Sequence, residues 1–163
     1  MNCPHPLEMI IGLKKPKQLL KSWYIFYHQL PFLPELIYKN SLRLFFKQFM
    51  RGWMIHKEKF TDEDLNEFVK AFKQKNAMSR SLNYYRAMVQ KKPNKLILKN
   101  KIQAPTLLIW GEDDKALGIE MTYNTQKRID STLEIKYIKN CSHWIQNDCP
   151  EEVNNYLMEF LKE

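Results

Sequence analysis

Two short polar stretches hold the residues best suited to chemistry. The first, Trp110-Gly-Glu-Asp-Asp114, is an acidic turn that closes a run of apolar residues. The second, Asn140-Cys-Ser-His143-Trp144, places a histidine just past an alternating stretch. A carboxylate hydrogen-bonded to one imidazole nitrogen fixes the tautomer and leaves the other nitrogen free to take a proton from water, which is general-base chemistry. A lone acid or a lone histidine is more often a solvated turn or a packed side chain. Here each stretch lies at the carboxyl end of a predicted strand, where open parallel sheets bind their ligands.

The elements that carry these stretches follow from the pattern. Thr106-Leu-Leu-Ile-Trp110 is a continuous apolar run closed by Gly111, which reads as a strand buried on both faces. A helix is expected around Glu120 to Ile129. Leu133, Ile135 and Tyr137 then alternate with Glu134 and Lys136, which predicts a second strand to Ile138. Pro150 opens a terminal helix with Val153, Tyr156, Leu157 and Phe160 inward. Strand, helix, strand, helix is the order of a parallel α/β layer.

Before it, residues 16 to 90 read as helical. Leu20, Trp23, Tyr24 and Tyr27 recur at helical spacing up to Pro31 and Pro34, and Leu42, Phe45, Phe46 and Phe49 repeat the pattern up to Gly52. Thr61 is a good N-cap, with Asp62, Glu63 and Asp64 in the first turn and Leu65, Phe68, Val69 and Phe72 as a buried stripe. Ser79 or Ser81 can cap a last helix carrying Leu82, Tyr85, Met88 and Val89. Pro4 and Pro6 argue against a helix in residues 1 to 13, which read as a strand end running into a loop.

Composition excludes several classes. The 163 residues are 44% apolar and 27% charged, a globular balance with room for one core. Gly12, Gly52, Gly111 and Gly118 are too dispersed for a dinucleotide or nucleotide phosphate loop, or for a Gly-x-Ser-x-Gly elbow. Cys3, Cys141 and Cys149 form no Cys-x-x-Cys pair, so neither a disulfide nor a metal site is expected, and a reducing compartment is. No stretch reaches a membrane span's length, and Met1-Asn-Cys-Pro-His-Pro is not a signal peptide's opening. The net charge of +8 comes from lysine clusters at Lys14, Lys15, Lys17 and Lys21 and at Lys91, Lys92, Lys95, Lys99 and Lys101. Arginine is confined to Arg43, Arg51, Arg80, Arg86 and Arg128, so a solvated basic surface is expected rather than a nucleic-acid interface.

Taken in order, these motifs resemble the C-terminal half of an α/β hydrolase, where an acid turn, a strand, a histidine turn and a terminal helix follow one another. Leu107-Leu-Ile-Trp-Gly-Glu-Asp-Asp114 is similar to that fold's acid motif, and Cys141-Ser-His143-Trp-Ile-Gln-Asn-Asp-Cys-Pro150 to its histidine motif. The resemblance makes Asp114 the acid, three residues after the glycine, and Asp113 a solvated turn residue. His143 follows Asp114 by 29 positions, room for a helix and a strand. Lys17-Gln-Leu-Leu-Lys-Ser-Trp-Tyr24-Ile-Phe-Tyr-His-Gln-Leu-Pro31 and Ser81-Leu-Asn-Tyr-Tyr85-Arg-Ala-Met88 resemble the helical cap of the epoxide hydrolases, in particular the animal epoxide hydrolase 4-like subgroup. Asn2-Cys-Pro-His-Pro6 resembles the end of that family's sixth strand.

The resemblance implies a partial α/β-hydrolase fold. Residues 1–13 would be a strand end and linker, 14–95 a helical cap, and 96–163 the C-terminal part of the core. It implies epoxide opening to a diol through an aspartyl ester. Asp114 and His143 would serve the ester-hydrolysis step, Tyr24 and Tyr85 would hold the ring oxygen, and Trp23 and Trp144 would be pocket walls. Two phenol donors suit that oxygen because negative charge develops on it. Tyr27 and Tyr84 read as packing, His5 as structural, and His28 and His56 as surface or cap residues. The implied partners are a small apolar epoxide and water, with no cofactor, no metal, no nucleic acid and no membrane span in this chain. The family's nucleophilic aspartate and His-Gly-x-Pro loop find no counterpart in these residues. They are expected on a missing N-terminal half, which in the resembled subgroup could also carry a membrane anchor. A haloalkane or haloacetate dehalogenase-like hydrolase is the alternative, which the tyrosine pair counts against, and a non-catalytic binding module is another.

Overall fold

A computed structural model describes residues 2–90 and 100–162. The boundary expected between 95 and 96, and Lys91, Lys92, Lys95 and Lys99, lie outside the described residues. Strands β1 (Thr106–Gly111) and β2 (Leu133–Ile138) pair in parallel, with Thr106 opposite Leu133 and Gly111 opposite Ile138. Ile102 and Ile129 add one parallel bridge before them. The even and odd positions of β1 face different cores, as a doubly covered strand requires. Leu108 and Trp110 pack with Tyr24, Ile25, Ala116, Leu117 and Met121, whereas Ile109 packs with Ile138, Cys141, Ile145, Cys149 and Val153.

The chain before β1 is helical: α1 (Pro6–Gly12), α2 (Pro16–Lys21), α3 (Trp23–Tyr27), α4 (Leu33–Asn40), α5 (Leu42–Phe46), α6 (Asp62–Phe72) and α7 (Ala77–Gln90). A π-helical turn, Lys47–Arg51, continues α5, as the stop at Gly52 foretold. Thr61 caps α6 in a reciprocal capping box with Asp64, and Leu65 is fully buried beneath it. Phe46, Met50, Met54, Phe60 and Leu65 form this region's own core. No helix of the described residues is long and apolar enough to cross a membrane.

Four local expectations are corrected. Residues 6–12 are helical because Pro6 occupies the first helical position, where it has no hydrogen bond to lose, and the His5 ring nitrogen accepts from the Leu7 N–H. The first cap stripe is broken at Ser22, whose hydroxyl accepts from Gln18, and the kink turns Tyr24 and Ile25 inward. Leu20 and Trp23 are left 75% and 60% exposed as a result. The last cap helix begins at Ala77, after Asn76 in the left-handed region, so Ser79 and Ser81 lie inside it. Between the strands there are only two 3₁₀ turns, Ile119–Met121 and Thr125–Arg128. There the Thr122 hydroxyl bonds the Ile119 carbonyl and competes with a continuous helix.

After β2 come α8 (Ile145–Asp148) and α9 (Pro150–Leu161), with Pro150 at the first position of α9 as expected. Val153 is buried there, and Tyr156, Leu157 and Phe160 are half-buried.

Candidate active site

Both polar stretches leave the sheet at the same end, and Gly111 lets them meet. A Cβ on Gly111 would run into the carbonyl oxygens of Cys141 and Ser142, so only glycine allows the acid turn to lie against the histidine loop. Asn140 takes the left-handed conformation at the turn out of β2, a role asparagine tolerates well. The result brings Asp114 Oδ2 within 2.8 Å of His143 Nδ1.

The Asp114 carboxylate is held by four donors. Oδ1 accepts from the backbone N–H groups of Ala116 at 2.7 Å and Leu117 at 2.9 Å. Oδ2 accepts from His143 and from Asn2 Nδ2 at 2.9 Å. Asp114 is buried, and its lone pairs are matched by N–H groups, as a buried carboxylate requires. Since that oxygen only accepts, the His143 hydrogen sits on Nδ1 and Nε2 keeps its lone pair. This is an oriented general base. Asp113 is exposed in the turn, as expected.

Asn2 is a member of this site that sequence reasoning missed. It is buried, its Oδ1 accepts from the Gly111 N–H at 2.8 Å, and its Nδ2 also donates to the Ser142 carbonyl at 3.2 Å. One amide therefore clamps the acid turn to the histidine loop. Asp148 is a second. It is fully buried and accepts from the N–H groups of Ser142 at 2.7 Å, His56 at 2.7 Å and Ile55 at 3.2 Å. Burial pushes its carboxyl up, but those hydrogen bonds outweigh it and hold the group below the usual aspartate range. Nothing in the local sequence marks either residue, because each finds its partners across the fold.

Tyr24 and Tyr85 lie edge to face with ring centroids 5.9 Å apart. Tyr24 is in the core cluster with Trp110, Ala116 and Leu117, beside Asp114, and Tyr85 packs against that cluster. Burial pushes both phenols up, with the neighbouring Tyr85 and the Asp114 charge adding for Tyr24, so both stay protonated donors. Tyr38 and Tyr137 have hydroxyl partners, whereas those of Tyr24 and Tyr85 have none among the described residues. Arg86 sets their spacing from below. It forks onto Glu35 at 2.6 and 3.1 Å and donates to the carbonyls of His28 and Leu30, tying α7 to the end of α3. Gln29 adds a bond to the Tyr85 carbonyl. Tyr27 is half-buried and Tyr84 is 65% exposed.

Trp23 helps line a cavity of about 330 Å³ with Tyr24, His28, Phe49 and Trp53. Trp144 lines a second, of about 350 Å³, with Tyr85, Phe72 and Leu82, and packs edge-on against His143. His56 is half-exposed and touches the Asn140 carbonyl. His28, read as a surface or cap residue, lies in the helical region and is 4% exposed. Its place one turn after Tyr24 was the available signal, because the inward turn of α3 carries both.

Burial pushes the His28 imidazole down to about 4, with the Arg86 charge adding and Glu35 opposing. The unfolded chain, with an ordinary histidine near about 6.5, then binds more protons between those values. Stability should therefore be full above about pH 6.5 and fall as pH drops toward about 4, by up to about 3 kcal/mol. Urea unfolding across that range checks it, and His28→Phe should flatten the limb.

No family model matches the chain. Among curated proteins, human epoxide hydrolase 4 is 34% identical over all of this chain and 46% of its own length. Epoxide hydrolase 3 of Xenopus tropicalis is 36% identical over all of this chain and 45% of its own. Over its whole length the chain is similar to part of the epoxide hydrolases, which are α/β hydrolases. It spans about half the length of the curated relatives it matches. Epoxide hydrolase A from Mycobacterium thermoresistibile superposes with a TM-score of 0.73 at 20% identity, over 85% of this chain and 51% of that one, which is a likeness of fold. Against this family the Cys141–Cys149 pair is a further correction. The two half-cystines form a disulfide with Cα atoms 6.3 Å apart, within ordinary disulfide range, where no disulfide was expected. Strand β2 and the start of α9 bring residues eight apart together, which a motif scan cannot see.

Proposed function

We propose that this segment supplies the cap and the ester-hydrolysing half of an epoxide hydrolase, with residues 14–95 as the cap and 96–163 as the core portion. In this reading Tyr24 and Tyr85 donate to the epoxide oxygen while a carboxylate from outside these residues attacks a ring carbon. The carbon–oxygen bond breaks, and the ring oxygen takes a phenol proton. Water then attacks the ester carbonyl as its proton passes to His143 Nε2, with Asp114 steadying the imidazolium. The diol leaves, the carboxylate is restored, and the proton on His143 returns to the phenol through solvent. Trp23 and Trp144 wall the substrate, a small apolar epoxide, and no cofactor is needed.

The observation that carries this reading is the pairing of two protonated phenols, without hydroxyl partners among the described residues, in a chain that also holds an oriented Asp114–His143 base. The test is a fusion of this segment to the N-terminal half of human epoxide hydrolase 4, assayed for conversion of styrene oxide to its diol. Tyr24→Phe and Tyr85→Phe should each lower kcat by roughly 10²-fold with little change in stability, since neither hydroxyl has a partner among the described residues. A folded fusion with no turnover, or turnover indifferent to both substitutions, would overturn the reading.

A further inference from the structure

Among the described residues, Asn2 alone lies outside both the acid turn and the histidine loop and bonds to both through its side chain. Its backbone is fixed first. The Asn2 N–H donates to the Ile109 carbonyl of β1 at 3.0 Å, and the residue takes a left-handed φ of 33°, which asparagine bears better than most residues. The buried amide is then fully used. Oδ1 takes the Gly111 N–H, one Nδ2 hydrogen goes to Asp114 Oδ2, and the other goes to the Ser142 carbonyl.

The surrounding bonds separate holding the loops together from aiming the pair. Backbone already joins the loops, because the Glu112 N–H donates to the Ile138 carbonyl at 3.0 Å and the Asp113 N–H to the Cys141 carbonyl at 3.1 Å. Asp148 holds the Ser142 N–H from another side. None of these bonds involves Asn2. The carboxylate is a different case. Oδ1 accepts from Ala116 and Leu117, two and three residues along the same turn, so those donors travel with it. Oδ2, the oxygen facing the imidazole, has His143 and Asn2 as its donors. His143 takes its own orientation from Oδ2, which leaves Asn2 to fix where that oxygen lies.

We propose that Asn2 is a positioning residue for the base, holding Asp114 Oδ2 where the His143 Nδ1–H meets it, so that ester hydrolysis depends on Asn2 and ester formation does not. The inference rests on the epoxide reading above and assigns a further residue to its second step. In that step a water proton passes to Nε2, and the new positive charge on the imidazole pulls on Oδ2. The Asn2 N–H occupies the same oxygen from another direction and keeps it in place. The first step draws on Tyr24, Tyr85 and an outside carboxylate, and the Asn2 side chain bonds to neither phenol. A catalytic group displaced by about 1 Å can cost about 10²-fold in rate.

Two measurements test this. In the 163-residue chain, proton–nitrogen NMR follows the His143 Nδ1–H, which its bond to Asp114 shields from exchange with water. Asn2→Ala is expected to speed that exchange roughly tenfold or more, while the backbone N–H groups of Glu112 and Asp113 exchange as in the parent. In the fusion to the N-terminal half of human epoxide hydrolase 4, the same variant should keep a burst of one equivalent and hydrolyse the ester about 10²-fold more slowly. Then kcat and KM fall together and kcat/KM stays the same, whereas general damage to the fold would lower the burst and kcat/KM. If the variant fails to fold, the parent chain still decides: the Asn2 side-chain hydrogens should exchange slowly, and a pair exchanging like those of exposed amides overturns the proposal. Parental exchange of the His143 hydrogen in Asn2→Ala, or loss of the burst along with hydrolysis, overturns the role of Asn2 and leaves the epoxide reading standing. A folded parent fusion with no turnover overturns the epoxide reading alone, because the spectra of the chain decide the hold on Oδ2 without it.

Discussion

With His143 replaced by glutamine, the fusion described above is expected to stop after its first step, losing roughly 10²–10⁴ in steady-state turnover. The reason is local. His143 Nδ1 is committed to Asp114 and only Nε2 can take the proton of an attacking water. Glutamine preserves polarity but accepts no proton, so ester formation should proceed and ester hydrolysis should not. Intact-protein mass spectrometry would then show the fusion heavier by one epoxide, with a burst of one equivalent and little diol afterwards. Asp114→Asn should stall at the same stage by a different route. An amide nitrogen facing Nδ1 would force the imidazole into the wrong tautomer. A glutamine variant with full turnover and no adduct would remove His143 from the chemistry.

Asp148→Ala is expected to lower the chain's unfolding free energy by about 3–5 kcal/mol, a large share of the roughly 5–15 kcal/mol that holds a domain together. Three backbone N–H groups would lose the fully buried Asp148 acceptor, that of Ser142 in a buried place and those of Ile55 and His56 in half-buried ones. Because two of these donors lie in the helical region and one adjoins His143, hydrogen exchange should speed up at both ends of the link. Asp148→Asn should cost less, since its remaining oxygen can still accept from part of the set. The sign with pH follows from the lowered folded value. The stabilisation is present above about pH 3.9, the ordinary aspartate value, and is lost as pH falls through the lower folded one. Urea melts of the three proteins give the comparison, and an alanine variant as stable as the parent would mean that water replaces the carboxylate.

What the sequence made legible was whatever is encoded along the chain. The apolar run Thr106–Trp110 and the alternation Leu133–Ile138 gave both strands, and Thr61 with Asp64 announced α6. The motif spacing brought Asp114 and His143 forward as a pair, and the cap motifs brought Tyr24 and Tyr85. What stayed hidden depends on partners far away in sequence. Asn2 reaches Asp114 across 112 positions, and the Asp148 carboxylate meets Ile55 across 93. The burial of His28 was left open between surface and cap because, at the end of a five-residue helix, it depends on how the chain turns at Ser22 and not on periodicity. Pro6 misled because a proline's effect reverses between a helix's first turn and its interior.

The Cys141–Cys149 bond brackets the loop that carries His143, from the exit of β2 to the entry of α9. Closing so short a loop restricts the unfolded chain by about 2–3 kcal/mol. Thiol reagent therefore becomes an experimental variable of the same weight as a buried side chain. A preparation kept in reductant and one allowed to oxidise in air differ by two hydrogens in mass. They should also differ in melting point and in how firmly the base is held against its acid. Measurements made across the two preparations would mix two molecules, one of them with its histidine loop fastened at both ends.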